Sequence, residues 1–134
     1  MRIPDAPDEY PRAKLTHQII GAAISVSKEI RPGLDEKIYE NALCIEFAEL
    51  GLAFEQQPEF PVHYKGHFVG KGRPDLIVEN QVVVDTKVVK AFNEQHDAQM
   101  LGYLILTNLE VGLLLNFKVS PVGKRRILNP HFKK

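Results

Sequence analysis

The chain has 134 residues and a single cysteine, Cys44, so it forms no internal disulfide, and Cys44 itself falls inside an apolar helical pattern that reads as core. No apolar run is long enough to span a bilayer, and Met1–Pro11 is polar with three prolines and no signal-like pattern. Net charge is also missing: 17 basic residues balance 17 acidic ones, which removes the overall signature of a polyanion binder. The five histidines (His17, His63, His67, His96, His131) show no metal-ligand spacing. Gly70-Lys71-Gly72 is too short and misplaced for a phosphate loop, and nothing resembles a Ser–His–Asp nucleophile. These absences point to a soluble, cytoplasmic protein without a membrane partner.

What remains is enough for one domain, because a chain of this size can bury roughly two-thirds of its unfolded surface without staples. Charge is unevenly spread. Residues 1–62 hold 11 acids and 6 bases, and residues 63–134 hold 6 acids and 11 bases. Such asymmetry could steer nucleic acid to one face but is common in ordinary enzymes.

Residues 1–14 carry Pro4, Pro7 and Pro11 among charges and read as an arm. A helix is predicted over 17–30, with Thr16 as N-cap, ended by Arg31-Pro32-Gly33. A second is predicted over 34–50, stopped by Gly51, with Tyr39, Leu43, Phe47 and Leu50 as its apolar stripe, widened by Ile38, Ala42 and Ile45. Residues 52–64 read as extended chain bent by Pro58 and Pro61, and residues 65–72, with three glycines, as a turn. A hairpin follows over 73–78 and 82–89. A third helix is predicted over 94–107, capped by Asn93, with Ala98, Leu101 and Ile105 facing the core. Val111–Phe117 is apolar on both faces and reads as a central strand, Lys124–Leu128 as a last basic strand, and residues 130–134 as a short basic tail. The order predicts an α/β or α+β fold, a mixed sheet flanked by helices, over residues 15–129.

The chemistry concentrates in Gly72–Val89. Asp85 and Lys87 alternate onto one face of a strand. Whether Asp75 joins them depends on the turn. A two-residue loop would put Leu76 opposite Asp85, whereas a three-residue loop at Glu79–Gln81 pairs Val78 with Val82 and sets Asp75 opposite Asp85. The second register is expected. Opposed carboxylates repel unless a cation lies between them, and oxygen ligands suit Mg²⁺ or Mn²⁺. Lys87 could then orient or deprotonate a water, or stabilise developing charge. Glu36, three residues before Tyr39, lies on the buried side of its helix. It reads either as a third carboxylate of the cleft or as the N3 residue of a cap begun by Gly33. Asp75 could equally be a turn residue after Pro74, and Lys124-Arg125-Arg126 a solvated edge rather than a phosphate contact.

Gly33-Leu34-Asp35-Glu36-Lys37-Ile38-Tyr39 fits G-x-x-E-x-x-Y, and it is followed in order by GRPDLIV, VVVDTK, AQMLGYL and GLLLNF. In these motifs the chain, over about His17 to Leu128, resembles the bacterial GxxExxY family, a branch of the PD-(D/E)xK nuclease superfamily. The resemblance implies a restriction-endonuclease-like core with Asp75 and Asp85 as metal ligands, Lys87 as the catalytic lysine, and Glu36 as the helix carboxylate of the site. It also implies that Gln99 and Tyr103, four apart on one helix face, approach substrate or metal. The chain departs from the family in having Asp85 where glutamate is expected, Ser27 in place of histidine and Arg31 in place of glycine.

The expectation is therefore a Mg²⁺- or Mn²⁺-dependent nuclease acting on DNA, with RNA less favoured. A homodimer is compatible with a domain too small to enclose a duplex. Two alternatives stand beside it. One is a catalytically silent nuclease-fold protein that binds nucleic acid or regulates. The other is an assembly protein whose charged cluster only orders its core.

Overall fold

A computed structural model describes residues 11–134. Its elements are α1 (Ala13–Ile30), α2 (Glu36–Glu49), β1 (Phe54–Gln56), β2 (Phe60–Tyr64), β3 (His67–Gly72), β4 (Leu76–Val78), β5 (Val82–Lys87), α3 (Glu94–Thr107), β6 (Val111–Asn116) and β7 (Gly123–Leu128). Five strands form one sheet in the order β1-β4-β5-β6-β7, antiparallel except for the parallel β5–β6 pair, and β2–β3 form a separate two-stranded ribbon. Parallel neighbours need a crossover, which α3 supplies. The expected mixed sheet flanked by helices is the fold observed.

Period-two alternation sorts the sheet's two faces. Leu76, Val78, Val82, Val84, Leu113 and Leu115 pack under α1 and α2, with Ile19, Ala23, Val26, Tyr39, Leu43 and Phe47. Ile77, Val83 and Leu114 pack under α3, with Met100 and Leu104. Every residue of β6 is buried, as its unbroken apolar run required.

Several expectations change. Helix α1 begins at Ala13, within the segment read as an arm, because Ala13 and Leu15 are buried; residues 1–10 of that arm lie outside the described residues. Thr16 is not the cap but sits inside α1, its hydroxyl donating to the Ala13 carbonyl at 3.1 Å. Residues 67–72 form strand β3 rather than a turn, which is confined to Lys65-Gly66. On α2, Ile38, Ile45 and Leu50 are exposed, and the buried face turns toward Glu40 instead. On α3 the buried residues are Met100 and Leu104, while Ile105 is half exposed. The reason lies in β6. Gly112 has no Cβ, and one placed there would strike Met100 and come within 3.3 Å of Leu104. The hollow at Gly112 therefore sets which face α3 presents. The limits of α3 and its Asn93 cap are as expected, with His96 completing a reciprocal capping box. Arg31, where glycine was expected, has φ 72 and ψ 155, a conformation natural to glycine.

Candidate active site at the β4–β5 hairpin

The hairpin pairs Val78 with Val82, Ile77 with Val83 and Leu76 with Val84. This is the register of a three-residue loop, made possible by Glu79 and Asn80 at φ 53 and 52, with the Gln81 N–H donating to the Val78 carbonyl at 3.0 Å. One step further along, Asp75 meets Asp85. There the ladder ends in side chains rather than backbone carbonyls. The Asp75 N–H donates to Asp85 Oδ1 at 3.0 Å, and Thr86 donates its N–H and its hydroxyl to Asp75 Oδ2 at 2.8 and 2.9 Å. Each carboxylate thus has one oxygen tied to the opposite strand.

The other oxygens face side chains. Asp85 Oδ2 lies 3.5 Å from Lys87 Nζ. Lys87 Nζ donates to Gln99 Oε1 at 2.8 Å, and Gln99 Nε2 donates to the Tyr103 hydroxyl at 3.3 Å. A continuous chain of polar contacts therefore joins Asp85, Lys87, Gln99 and Tyr103 across β5 and α3. The four-residue spacing of Gln99 and Tyr103 brings them together one helical turn apart.

Glu36 is the first residue of α2, after Asp35 in extended conformation, and no side-chain cap forms. The reading of Glu36 as the N3 residue of a cap begun by Gly33 is therefore overturned. The anchor of this helix start is Tyr39, fully buried and stacked on Phe117 at 4.8 Å. Its hydroxyl donates to the Arg31 carbonyl at 2.7 Å and accepts the Leu34 N–H at 3.1 Å. The tyrosine of G-x-x-E-x-x-Y thus pins the turn that delivers Glu36. Glu36 feels the cluster: burial raises its pKa, the Asp75 carboxylate raises it further, and Lys87 opposes them. Yet among the described residues no three His, Cys, Asp or Glu side chains form a group that could hold a metal ion. The expected convergence of Glu36, Asp75 and Asp85 on one ion-sized gap is not preformed. The inner oxygens of both aspartates are spent on strand ends.

Asp85, 3% exposed, has its pKa pushed up to about 7, first by burial and then by Asp75, against hydrogen bonding from the Asp75 N–H and the charge of Lys87. Asp75 is raised by burial, which its Thr86 backbone hydrogen bond resists. Tyr103 is raised by burial and by both aspartates. An excess of buried negative charge is what a cation would relieve. Two carboxylates, each with an oxygen turned away from its strand bond, suit a hard divalent ion that keeps several waters, not an all-protein cage.

Sequence reasoning missed Glu40 and Gln57. Glu40, one turn after Glu36, is 2% exposed. Its Oε2 accepts from Lys37 Nζ at 2.8 Å and Gln56 Nε2 at 2.7 Å, and Gln57 Nε2 lies 3.0 and 3.2 Å from its two oxygens. Burial works to raise the Glu40 carboxyl, but these three donors outweigh it and hold its pKa low. Gln57 Nε2 also reaches Asp75 Oδ1 at 3.3 Å, so one amide lies between two carboxylates. The available signal was the i, i+4 spacing of Glu36 and Glu40; nothing local marked Gln57.

A family profile described as the PD-(D/E)XK nuclease superfamily matches residues 13–127. No curated protein matches the chain in sequence. Among solved structures, the crystal structure of SSO0001 shares 22% identity at a TM-score of 0.55, over 70% of this chain and 50% of that one. The chain thus spans half the length of that neighbour, and the likeness is one of fold. An alkaline exonuclease (LHK-Exo) from Laribacter hongkongensis aligns at 10% identity and TM-score 0.49, over 93% of this chain and 73% of its own. The profile match covers nearly the whole described chain, including Pro74-Asp75 and Asp85-Thr86-Lys87 in the P-D…D-x-K arrangement. The chain belongs to the PD-(D/E)XK nuclease superfamily.

Proposed function

We propose that the chain is a divalent-metal-dependent nuclease, of the G-x-x-E-x-x-Y branch of its superfamily, that hydrolyses phosphodiester bonds in DNA. The observation that carries the reading is the end of the β4–β5 ladder. There the Asp75 N–H donates to the Asp85 carboxylate and the Thr86 N–H donates to the Asp75 carboxylate, with an ammonium 3.5 Å from the outward oxygen of Asp85. Asp75 and Asp85, with Glu36, would hold Mg²⁺ or Mn²⁺. When bound, such an ion polarises a phosphoryl oxygen and lowers the pKa of a water.

The remaining work falls to this chain's own groups. Lys87, whose ammonium donates to Gln99 Oε1, would orient the attacking water and neutralise charge developing on the phosphate oxygens. Gln99 and Tyr103, in contact on α3, would offer an amide and a hydroxyl to a phosphate or a base. A second copy of the chain would complete the grip on a duplex.

The test is cleavage of labelled single- and double-stranded DNA and RNA with Mg²⁺, Mn²⁺ or EDTA, repeated with Lys87→Ala. Metal-dependent DNA cleavage that Lys87→Ala abolishes is expected. Binding without cleavage would replace this reading with a silent nucleic-acid-binding protein, an alternative compatible with the lack of a preformed three-ligand group among the described residues.

A further inference from the structure

The β2–β3 ribbon stands apart from the main sheet. Its base is fixed: Phe60 packs into the core beneath α3, and Gly72 lies so close to that helix that an added Cβ would come within 2.6 Å of Leu106 and 3.7 Å of the Tyr103 ring. Beyond the base almost nothing covers it. Tyr64, Phe68 and Val69 are 65%, 63% and 61% exposed, and Val62 is 37% exposed. A two-stranded ribbon is marginal in water by itself, and exposed apolar groups clustered on one arm mark a contact surface.

The chemistry of the arm selects among partners. From Phe60 to Pro74 there is no acid, while Lys65, Lys71, Arg73, His63 and His67 fall within the same stretch. Lys71 and Arg73 share Glu59 near the base, at 2.8 and 3.6 Å. Lys65, at the turn, carries its ammonium 5.5 Å above the Tyr64 ring. Phe68 meets His63 across the strands at 6.0 Å, edge to face. The register pairs His63 with Phe68 and Tyr64 with His67, so the two exposed rings stand on opposite faces of the ribbon near its turn, where a strand bent over the turn can stack a base on each while the cations track its phosphates.

The arm also leads to the site. Its outgoing strand passes the Tyr103 ring at Gly72 and continues through Arg73-Pro74 into Asp75. At roughly 3.3 Å per residue, the turn stands about 15–20 Å from the base. We propose that the β2–β3 ribbon binds an unpaired strand of the nucleic-acid substrate, stacking bases on Tyr64 and Phe68, and so delivers that strand toward Asp75. This rests on the nuclease reading and specifies its substrate as single-stranded or frayed nucleic acid.

The chain contains no tryptophan, so Tyr64→Trp and Phe68→Trp each install a unique fluorophore at a position already exposed. In Ca²⁺ buffer, titration with oligo-dT or oligo-U is expected to quench either tryptophan, while a blunt duplex leaves it unchanged; whichever oligonucleotide quenches identifies the strand chemistry. Tyr64→Ala/Phe68→Ala is expected to weaken single-strand binding at least ten-fold by fluorescence anisotropy. Its Mn²⁺-dependent hydrolysis of bis(p-nitrophenyl) phosphate, too small to reach the arm, should stay within two-fold of the parent. No quenching at saturation, or single-strand affinity unchanged in the double variant, overturns the proposal. So does a dimer-to-monomer change by sedimentation in that variant with affinity retained, which would make a second copy the occupant. Failure of the nuclease reading shows separately, as absent diester hydrolysis in the parent protein.

Discussion

Asp85 accepts the backbone N–H of Asp75 at 3.0 Å, so the acid of one strand closes the hydrogen-bond ladder for the acid of the other. The arrangement places two carboxylates side by side where a sheet would normally end in backbone carbonyls. It gives the site a rigid base and concentrates negative charge.

Asp85→Asn keeps an oxygen for the Asp75 N–H and removes the buried charge. Without metal at pH 8, the variant should melt higher than the parent, by about 3–6 °C for each kcal/mol of repulsion relieved. At pH 5 the two should melt together. With millimolar Mg²⁺ the parent should gain stability and the variant should not, since binding the native state alone raises melting temperature. Calorimetry at both pH values checks this.

Asp85 has its folded pKa raised to about 7 from an ordinary value of 3.8. Between these two values the folded state holds a proton that the unfolded state has lost, so stability of the metal-free protein falls as pH rises through the window. The loss is on the order of a few kcal/mol. Metal affinity should move the other way, rising toward pH 7 and above as the carboxylate ionises. Urea denaturation from pH 4 to 8, with EDTA and with Mg²⁺, reads both trends. A flat EDTA profile would falsify this account of Asp85.

Lys87→Ala should lower the cleavage rate by about 100-fold or more while leaving Mg²⁺ affinity unchanged or tighter, since the removed ammonium opposes the cation. Gln99→Ala frees Lys87 from its 2.8 Å acceptor and should cost about ten-fold in rate. Single-turnover cleavage together with titration calorimetry separates rate from metal binding.

Gln57 lies between Glu40 and Asp75 with φ 53. Gln57→Ala leaves two buried acids facing each other and should destabilise the metal-free protein by about 1–3 kcal/mol. Gln57→Gly should lose roughly 0.5–1 kcal/mol less, because glycine accepts the positive φ. Mg²⁺ should restore more stability to either variant than it adds to the parent. Chemical denaturation of all three proteins measures it.

Arg31 holds φ 72 and ψ 155 at the end of α1. Arg31→Gly should raise stability by about 1 kcal/mol by removing backbone strain, with cleavage unchanged. A thermal melt that shifts downward would mean that the arginine side chain makes up for its backbone.

How far the site could be read in advance varies residue by residue. The pairing of Asp75 with Asp85 was legible because turn length and strand alternation leave only two registers, and Glu79–Gln81 suits the longer turn. The start and end of α3 were legible from its cap. Its buried face was not, because Met100 wins over Leu101 through a missing Cβ on β6, twelve residues away. Strand β3 was obscured by its glycines, and Glu40 by being an acid in a helix that otherwise reads as solvated on that side.

By itself the sequence determined the limits of α3, the β4–β5 hairpin, the alternation that puts Asp85 and Lys87 on one face, and the family signature, because each depends on neighbours along the chain. The tertiary structure decided which face of α2 and α3 is buried, that Glu40 and Gln57 brace Asp75, and that Lys87 reaches Gln99. Those outcomes depend on contacts between segments brought together only by packing, where one absent methyl group or one amide between two carboxylates outweighs local preference.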